Sequence, residues 1–202
     1  MTRLLRRAVE LEATMWVSLF KWILRRPRAT EPGARTFGYT RTLSPVLFAF
    51  IGVSAVELPV LHFLLPWPTV RLIADIISVY GLIWMFGLLA SLRVNPHIVA
   101  ASGLRLRGSG GLDVTIPWDY VASVRASNHN LPGKDIQVNN GVLSLGVLKQ
   151  TSVNVTFRQP TILELPKGDT EPVTELRFAA DEPGALVAAA REHLPAQAPV
   201  QA

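Results

Sequence analysis

The chain of 202 residues carries a net charge of +5, and 49% of its residues are hydrophobic while only 17% are charged. Soluble domains average about 25% charged residues, so this composition indicates a membrane segment joined to a small domain. The absence of cysteine excludes disulfides, thiolate metal sites and cysteine nucleophiles. The histidines are too scattered to suggest a metal site; they are His62, His97, His129 and His193.

The basic excess lies at the N-terminus. Residues 1–41 contain nine basic and three acidic residues, whereas residues 93–202 contain ten of each. A nucleic-acid-binding domain would carry its excess in the folded part, so we expect no nucleic-acid partner. Basic residues beside apolar runs are instead typical of contact with an anionic lipid surface.

Residues 1–41 predict a basic amphipathic helix over 3–26 and a polar linker. In a helix with about 100° between successive residues, the charged side chains of this stretch fall on one face and the apolar side chains on the other. It is too short to span a bilayer and is interrupted by a lysine, so we expect it to lie in the interface. The alternative is a helix that packs on the C-terminal domain or on a partner subunit. The candidate membrane-surface residues are Arg3, Arg6, Arg7, Trp16, Lys21, Trp22, Arg25 and Arg26.

Residues 42–93 predict a transmembrane hairpin with helices over about 43–65 and 70–92. Each run exceeds the roughly 20 residues that cross a hydrocarbon core. The link Pro66-Trp67-Pro68-Thr69 stops helix propagation and is short enough to force antiparallel neighbours. Lys and Arg are dense before the first run and absent from the link, which predicts an inner-membrane protein with both termini cytoplasmic.

Four ionisable residues lie inside these runs: Glu57, His62, Arg71 and Asp75. Charge at bilayer depth is costly and is often functional, which points to a proton or ion relay or to contact with a partner's transmembrane helix. The structural alternative is a protonated Glu57 hydrogen-bonded to Ser54, Ser78 or Tyr80, with Asp75 neutralised by Arg71.

Residues 94–195 predict a β-rich domain that ends in one helix, followed by a disordered tail over 196–202. Asp181 is the predicted cap of that helix, which runs to Leu194. Turn residues separate short β-like runs. The predicted strands are 97–101, 104–107, 112–117, 121–127, 136–138, 142–148, 153–157, 161–165 and 174–179.

This half of the chain resembles the bacterial pleckstrin-homology-like domains of small membrane proteins of the actinobacterial type, whose functions are largely unassigned. The resemblance rests on VAASGLRLR (99–107), VTIPWDYVASV (114–124) and FAADEPGALVAAAREHL (178–194). It implies an α+β membrane protein in which a β-barrel or sandwich is closed by one helix. It also implies a cytoplasmic binding or scaffolding module rather than an enzyme, without cofactor or metal.

The possible ligand or partner face consists of Arg105, Arg107, Trp118 and Arg125, although Trp118 also fits a core position. Expected partners are the lipid bilayer and other membrane proteins or further copies of the chain. An alternative function is an accessory subunit of a transport or respiratory complex that contacts partner helices through Glu57 and Asp75. A membrane-bound enzyme is the least supported class, because the sequence contains no P-loop, G-x-S-x-G or H-E-x-x-H motif.

Overall fold

The computed structural model describes residues 16–20, 22–24, 31–108, 112–163 and 171–194. These residues belong to two compact units. The helical unit contains the described residues up to 24 together with 43–94, and the β unit contains 31–42 together with 95–194. Two of the predictions, the amphipathic helix and the tail, fall wholly or largely outside the described residues; residues 16–20 and 22–23 are helical.

Two long helices form most of the helical unit. Helix α1 spans Ser44–Leu64 and helix α2 spans Pro68–Val94. Proline is accepted in the first turn of a helix, where its missing N–H has no partner to lose, and Pro45 and Pro68 both occupy such positions. The observed bounds agree with the predicted apolar runs to within two residues.

The two helices pack along a seam of the less exposed positions. On α1 these positions recur every three or four residues, at Leu47, Ile51, Ser54, Leu58 and Leu61. On α2 the less exposed positions include Ala74, Ser78 and Gly81, which recur at the same helical spacing. Packing across this seam leaves most of the remaining surface of both helices uncovered, except in the last turns of α2, where Gly87 and residues 89–92 are buried.

The uncovered surfaces of α1 and α2 are apolar. In the most apolar 18-residue window, only 6% of residues in α1 and 11% in α2 are buried. Phe63, for example, is 86% exposed and Leu64 is 72% exposed. Both helices are long and apolar enough to cross a membrane, and they lack the burial that a core helix of a soluble protein would have.

The strands of the β unit form two sheets. The first sheet has the order β1-β2-β3-β4 and is antiparallel. Its strands are β1 (Arg35–Phe37), β2 (His97–Ala100), β3 (Gly103–Arg107) and β4 (Asp113–Ile116). The second has the order β5-β8-β9-β7-β6, in which only β7 and β9 pair in parallel. Its strands are β5 (Val121–Asn130), β6 (Ile136–Asn139), β7 (Val142–Leu145), β8 (Gln150–Ile162) and β9 (Pro172–Phe178). The predicted α+β class is thus confirmed, but the described strands form no closed barrel.

Both sheets and the final helix α3 (Pro183–Arg191) contribute to one hydrophobic core. Strand residues alternate between the core and the outer surface, as in Val153 and Val155 of β8, which are both 0% exposed. Helix α3 buries Leu186, Val187, Ala189 and Ala190 against this core. The β unit therefore has a core of its own.

The segment before α1 is part of the β unit and was not predicted as such. Residues 35–37, expected to be linker, form strand β1, which pairs with β2 through Arg35↔Val99 and Phe37↔His97. Phe37 and Tyr39 are 8% and 6% exposed. In the sequence, the α1–α2 hairpin therefore lies between β1 and β2, which are paired neighbours in one sheet.

Three further predictions need correction. The segment predicted at 153–157 and residues 161–162 of the segment predicted at 161–165 belong to the single strand β8, which has an irregularity between Thr156 and Thr161. Strand β5 continues to Asn130, into a segment predicted as a turn. Asp181 does not cap α3, because the cap position is Glu182, which makes no side-chain cap hydrogen bond, and α3 ends at Arg191.

The predicted turn between β2 and β3 does require its glycine. Gly103 has φ +145°, and a Cβ at this position would clash with the carbonyl of Ile116. This close approach lets β3 pair with both of its neighbours, β2 and β4.

Candidate functional sites

The ionisable residues of the hairpin include one side-chain contact at hydrogen-bond distance between the two helices. His62 Nδ1 of α1 lies 2.8 Å from Asp75 Oδ2 of α2. The sequence predicted Arg71 as the neutralising partner of Asp75, but no ion pair joins these two in the described part of the chain. The hairpin geometry places His62 across from Asp75, whereas Arg71 lies on the same helix as Asp75.

The second oxygen of Asp75, Oδ1, is buried and has no hydrogen-bond partner among the described residues. Glu57 differs from Asp75 because it lies off the seam, and its side chain is exposed on the uncovered surface of α1. The two acidic residues therefore occupy different environments: Asp75 is engaged within the hairpin and Glu57 faces outward.

Arg105 and Arg107 are held by one carboxylate. Arg105 donates two hydrogen bonds to Asp113, from Nε at 2.6 Å and from a terminal nitrogen at 2.8 Å. The hydrogen bonds to the Asp113 carboxylate raise the pKa of the Arg105 guanidinium. Arg107 Nε lies 3.7 Å from the same carboxylate, and its side chain is 4% exposed. The buried position of Arg107 is inconsistent with a ligand-binding surface.

Trp118 is a core residue. It is 8% exposed, and its indole N–H donates a 2.8 Å hydrogen bond to the Ala100 carbonyl. Its ring stacks on His193, with centroids 5.4 Å apart. Arg125 is exposed on β5, in the other sheet from Arg105 and Arg107. The structure does not bring the four residues of the predicted face together, since Arg107 and Trp118 are buried and Arg105 and Arg125 lie in different sheets.

His97, which sequence reasoning did not single out, is the first residue of β2 in the first sheet, and its side chain contacts the end of β9 and the residue after it. Its Nε2 is 3.0 Å from the Ala179 carbonyl, and its Nδ1 accepts the backbone N–H of Arg107 at 3.3 Å. Both contacts fit a neutral ring protonated on Nε2. Its ring stacks with Tyr39 at 4.8 Å and meets Phe178 edge-on at 5.2 Å. Burial lowers the pKa of His97 to about 4.

Asp181 holds the chain segment that leads into α1. Its carboxylate accepts the backbone N–H of Thr40 at 3.1 Å and of Arg41 at 2.8 Å, and its own N–H donates to the Gly38 carbonyl at 2.8 Å. Asp181 was predicted as a helix cap because of its position before Pro183. Its actual partners are distant in the sequence, so no local pattern identifies them.

A polar pocket of about 320 Å³, here called the β-unit pocket, lies beside this segment. It is lined by Tyr39, Thr42, Asn128, His129, Asn130, Val147, Gln150, Thr151, Ser152, Ala179, Ala180 and Asp181. Its walls come from the segment before α1, from β5, from the loop between β7 and β8, from β8, and from the chain after β9. Because the walls combine regions that are distant in the sequence, the pocket could not be predicted.

The described residues contain no group of three or more His, Asp or Glu side chains that could hold a metal ion. These sites offer hydrogen bonding and the paired charges described above, and the exposed side chains of Glu57 and Arg125 add further charge. Comparison with protein families, with curated proteins and with solved structures found no match to this chain.

Proposed function

We propose that this protein is a membrane-anchored binding or scaffolding module whose α1–α2 hairpin crosses the inner membrane twice. In this proposal both ends of the chain and the β unit are cytoplasmic. The β unit is a pleckstrin-homology-like module that recognises a ligand or another membrane component and performs no catalysis.

The observation that carries this proposal is the apolar and exposed surface of α1 and α2. Contact of such a surface with water would be strongly unfavourable, whereas lipid solvates it without cost. A helix pairs nearly all of its backbone N–H and C=O groups internally, as a bilayer requires, and Pro59 inside α1 removes one such hydrogen bond. Both helices exceed the roughly 20 residues needed to span.

The topology of the β unit supports placing both ends of the hairpin on one side. Strands β1 and β2 pair directly, so the chain leaves the β unit before α1 and returns to it after α2. Both ends of the hairpin must therefore be on the same side of the membrane, which two crossings, one by α1 and one by α2, allow. The basic N-terminal region and Arg93 then lie on the cytoplasmic side, and the uncharged link at Trp67 lies on the other.

Labelling of single cysteines tests the proposal cleanly, because the natural chain contains no cysteine. We expect Thr69→Cys, beside the link, to react with a membrane-impermeant maleimide in intact spheroplasts. Ser102→Cys, exposed in the β unit, should react only after the membrane is permeabilised. The unsubstituted protein is the control for background labelling. Equal labelling of both variants in intact spheroplasts contradicts the topology, and recovery of the protein without detergent contradicts membrane insertion.

A second candidate function is an accessory subunit of a larger membrane complex, and the position of Glu57 favours it. A carboxyl group on the outward surface of a membrane helix is costly unless a partner helix or a proton satisfies it. Purification from gently solubilised membranes distinguishes the candidates. Stoichiometric recovery of other membrane proteins, lost in Glu57→Gln, supports the accessory subunit, and an isolated homo-oligomer that is unchanged in this variant argues against it.

A further inference from the structure

We propose that the β unit binds an extended peptide segment of another protein, which pairs with strand β4 as an additional edge strand. The site is a groove of about 350 Å³, here called the β4 groove. One wall is the whole of β4 together with Pro117, and the other consists of Tyr120, Thr161, Ile162 and Leu163. The inference rests on the proposed function in treating the β unit as a binding module, and it adds the class of partner.

Strand β4 presents an open edge to this groove. It is the last strand of the first sheet, and among the described strands only β3 pairs with it. The Gly108 N–H donates to the Leu112 carbonyl, so these two residues form a hydrogen-bonded pair. Such pairs alternate with pairs that are not hydrogen-bonded along an antiparallel ladder. Asp113 and Thr115 therefore direct their backbone N–H and C=O groups away from β3.

These outward groups match the backbone of an extended peptide. They recur at every second residue, which is the spacing at which an added antiparallel strand forms its hydrogen bonds. The side chain of Thr115 is exposed, so the outer side of the strand is open to solvent. An exposed strand edge of this kind is a template for pairing with another chain.

The opposite wall of the groove is apolar. Pairing of β8 with β5 ends at Phe157, and beyond it the described strands leave Thr161 and Ile162 paired with β9 alone. Ile162 is 60% exposed and Tyr120 is 52% exposed. Apolar side chains at alternate positions of an added strand would cover both of them. Backbone hydrogen bonds combined with contacts to alternate side chains are typical of binding by strand addition.

Charge in the wall favours a peptide segment without charged side chains. Asp113 is the lining carboxylate, and Arg105 already donates two hydrogen bonds to it. No lysine or arginine is present among the described residues that line the groove. A charged side chain of the peptide would therefore lose water without gaining an ion-pair partner.

The shape of the site favours a separate peptide segment over a second copy of the chain. A volume of about 350 Å³ is in the range of small-molecule sites. The β4 edge of a second copy would bring β3 and the Arg105 side chain with it. A single extended segment has no such neighbour and enters the groove more readily.

The test begins with a library of random short peptides displayed on phage. The library is selected on the full-length protein in nanodiscs, after removal of the phage that bind empty nanodiscs. We expect the enriched peptides to contain apolar residues at alternate positions and few charges. Binding of a fluorescein-labelled copy of an enriched peptide is then measured by fluorescence anisotropy.

Thr115→Pro removes the outward N–H of β4, and Thr115→Ala, which keeps it, is the matched control. Proline is accepted in an edge strand where the N–H points away from the neighbouring strand. We expect Thr115→Pro to bind the peptide about tenfold more weakly, which corresponds to about 1.4 kcal/mol, and Thr115→Ala to bind it as the natural protein does. Ile162→Ala should also weaken binding, whereas Ile136→Ala, at an exposed position of β6, should not.

Peptides with N-methylated backbones give the same test if Thr115→Pro fails to fold. Methylation of the peptide residues that donate to β4 should abolish binding, and methylation of the intervening residues should not. Absence of peptide enrichment, equal binding by Thr115→Pro and the natural protein, or equal effects of methylation at all positions overturns the inference. So does self-association of the protein that Thr115→Pro abolishes and no peptide prevents, since it assigns the groove to a second copy. Correct cysteine labelling together with no peptide binding refutes this inference and leaves the proposed membrane topology standing.

Discussion

Phe37 and His97 lie opposite each other in the antiparallel β1–β2 pair, although the complete α1–α2 hairpin separates them in the sequence. The β unit thus receives an edge strand from before the hairpin and the rest of its residues from after it. Folding of the β unit therefore depends on a segment that sequence reasoning assigned to a linker.

The first prediction is that the hairpin can be replaced without loss of the β unit. A variant that begins at residue 29, and so lacks the remaining part of the helical unit, and in which residues 43–94 are exchanged for about four glycine and serine residues, a length typical of hairpin loops, should fold as a soluble protein. Circular dichroism and hydrogen exchange measure its strand content. The matched variant begins at residue 95 and also lacks β1. It should be markedly less stable, since it loses the buried Phe37 and Tyr39. Equal stability of the two variants would refute a structural role for β1.

The second prediction concerns the attachment of the segment before α1. Asp181→Asn removes the charge and leaves one acceptor oxygen for two backbone N–H groups. Hydrogen bonds to charged groups contribute more than neutral ones, so we expect a loss of about 1 to 2 kcal/mol. This loss is measured by unfolding the full-length protein in nanodiscs with urea and using the hydrogen exchange of β2 amides to monitor the unfolding.

Glu192→Gln is the control for Asp181→Asn. The ion pair of Glu192 with Arg35 joins side chains that are both 56% exposed, and exposed pairs contribute little. A loss in Glu192→Gln as large as that in Asp181→Asn would show that the carboxylate of Asp181 has no special role.

The third prediction is a pH dependence that arises from His97. Its pKa is about 4 in the folded protein and 6.5 in the unfolded chain. The unfolded chain binds more protons between these values, so stability falls as the pH is lowered through this window and is unaffected by this group above it. The contribution lost at pH 5 is about 2 kcal/mol by that relation. The contribution of His97 is obtained by comparing the urea midpoints of the natural protein at pH 7 and pH 5 with those of His97→Gln. If His97→Gln loses as much stability between pH 7 and pH 5 as the natural protein does, His97 is excluded as the cause.

Sequence reasoning was most successful where the signal was local. The apolar runs and the prolines near the link predicted α1 and α2 closely, because helix length and proline position are properties of the adjacent residues. Eight of the nine predicted strand segments lie on separate observed strands, and the ninth belongs to β8. Turn residues such as Gly103 located the ends of these strands.

The residues of the candidate sites were predicted less well, for a physical reason. Asp181 binds a segment before the hairpin, His62 pairs across the hairpin, and Arg107 is buried by the packing of its sheet. Each depends on contacts between residues that are distant in the sequence or on burial in the tertiary fold. Strand β1 has only three residues, too few for an alternating pattern to be recognised.

The fourth prediction tests Trp118 as a structural residue. Trp118→Phe keeps most of the ring but removes the N–H that pairs with the Ala100 carbonyl. An unpaired buried carbonyl costs about 1 to 3 kcal/mol, so the urea midpoint should fall. Tyr120→Phe, at a position 52% exposed, should have little effect. Unchanged stability of Trp118→Phe would reopen the possibility of a role in ligand binding.

The fifth prediction concerns the partner of Asp75 within the hairpin. The His62 contact predicts that His62→Phe and Asp75→Leu are energetically coupled, whereas pairing with Arg71 would couple Arg71→Gln to Asp75→Leu instead. Hydrogen bonds between membrane helices contribute on average about 0.6 kcal/mol and at most about 1.7. A double-mutant cycle on thermal unfolding in nanodiscs should therefore give a coupling in this range for His62 with Asp75 and none for Arg71 with Asp75. The reverse result would mean that Asp75 pairs with Arg71 of its own helix, and that His62 does not stabilise the hairpin through Asp75.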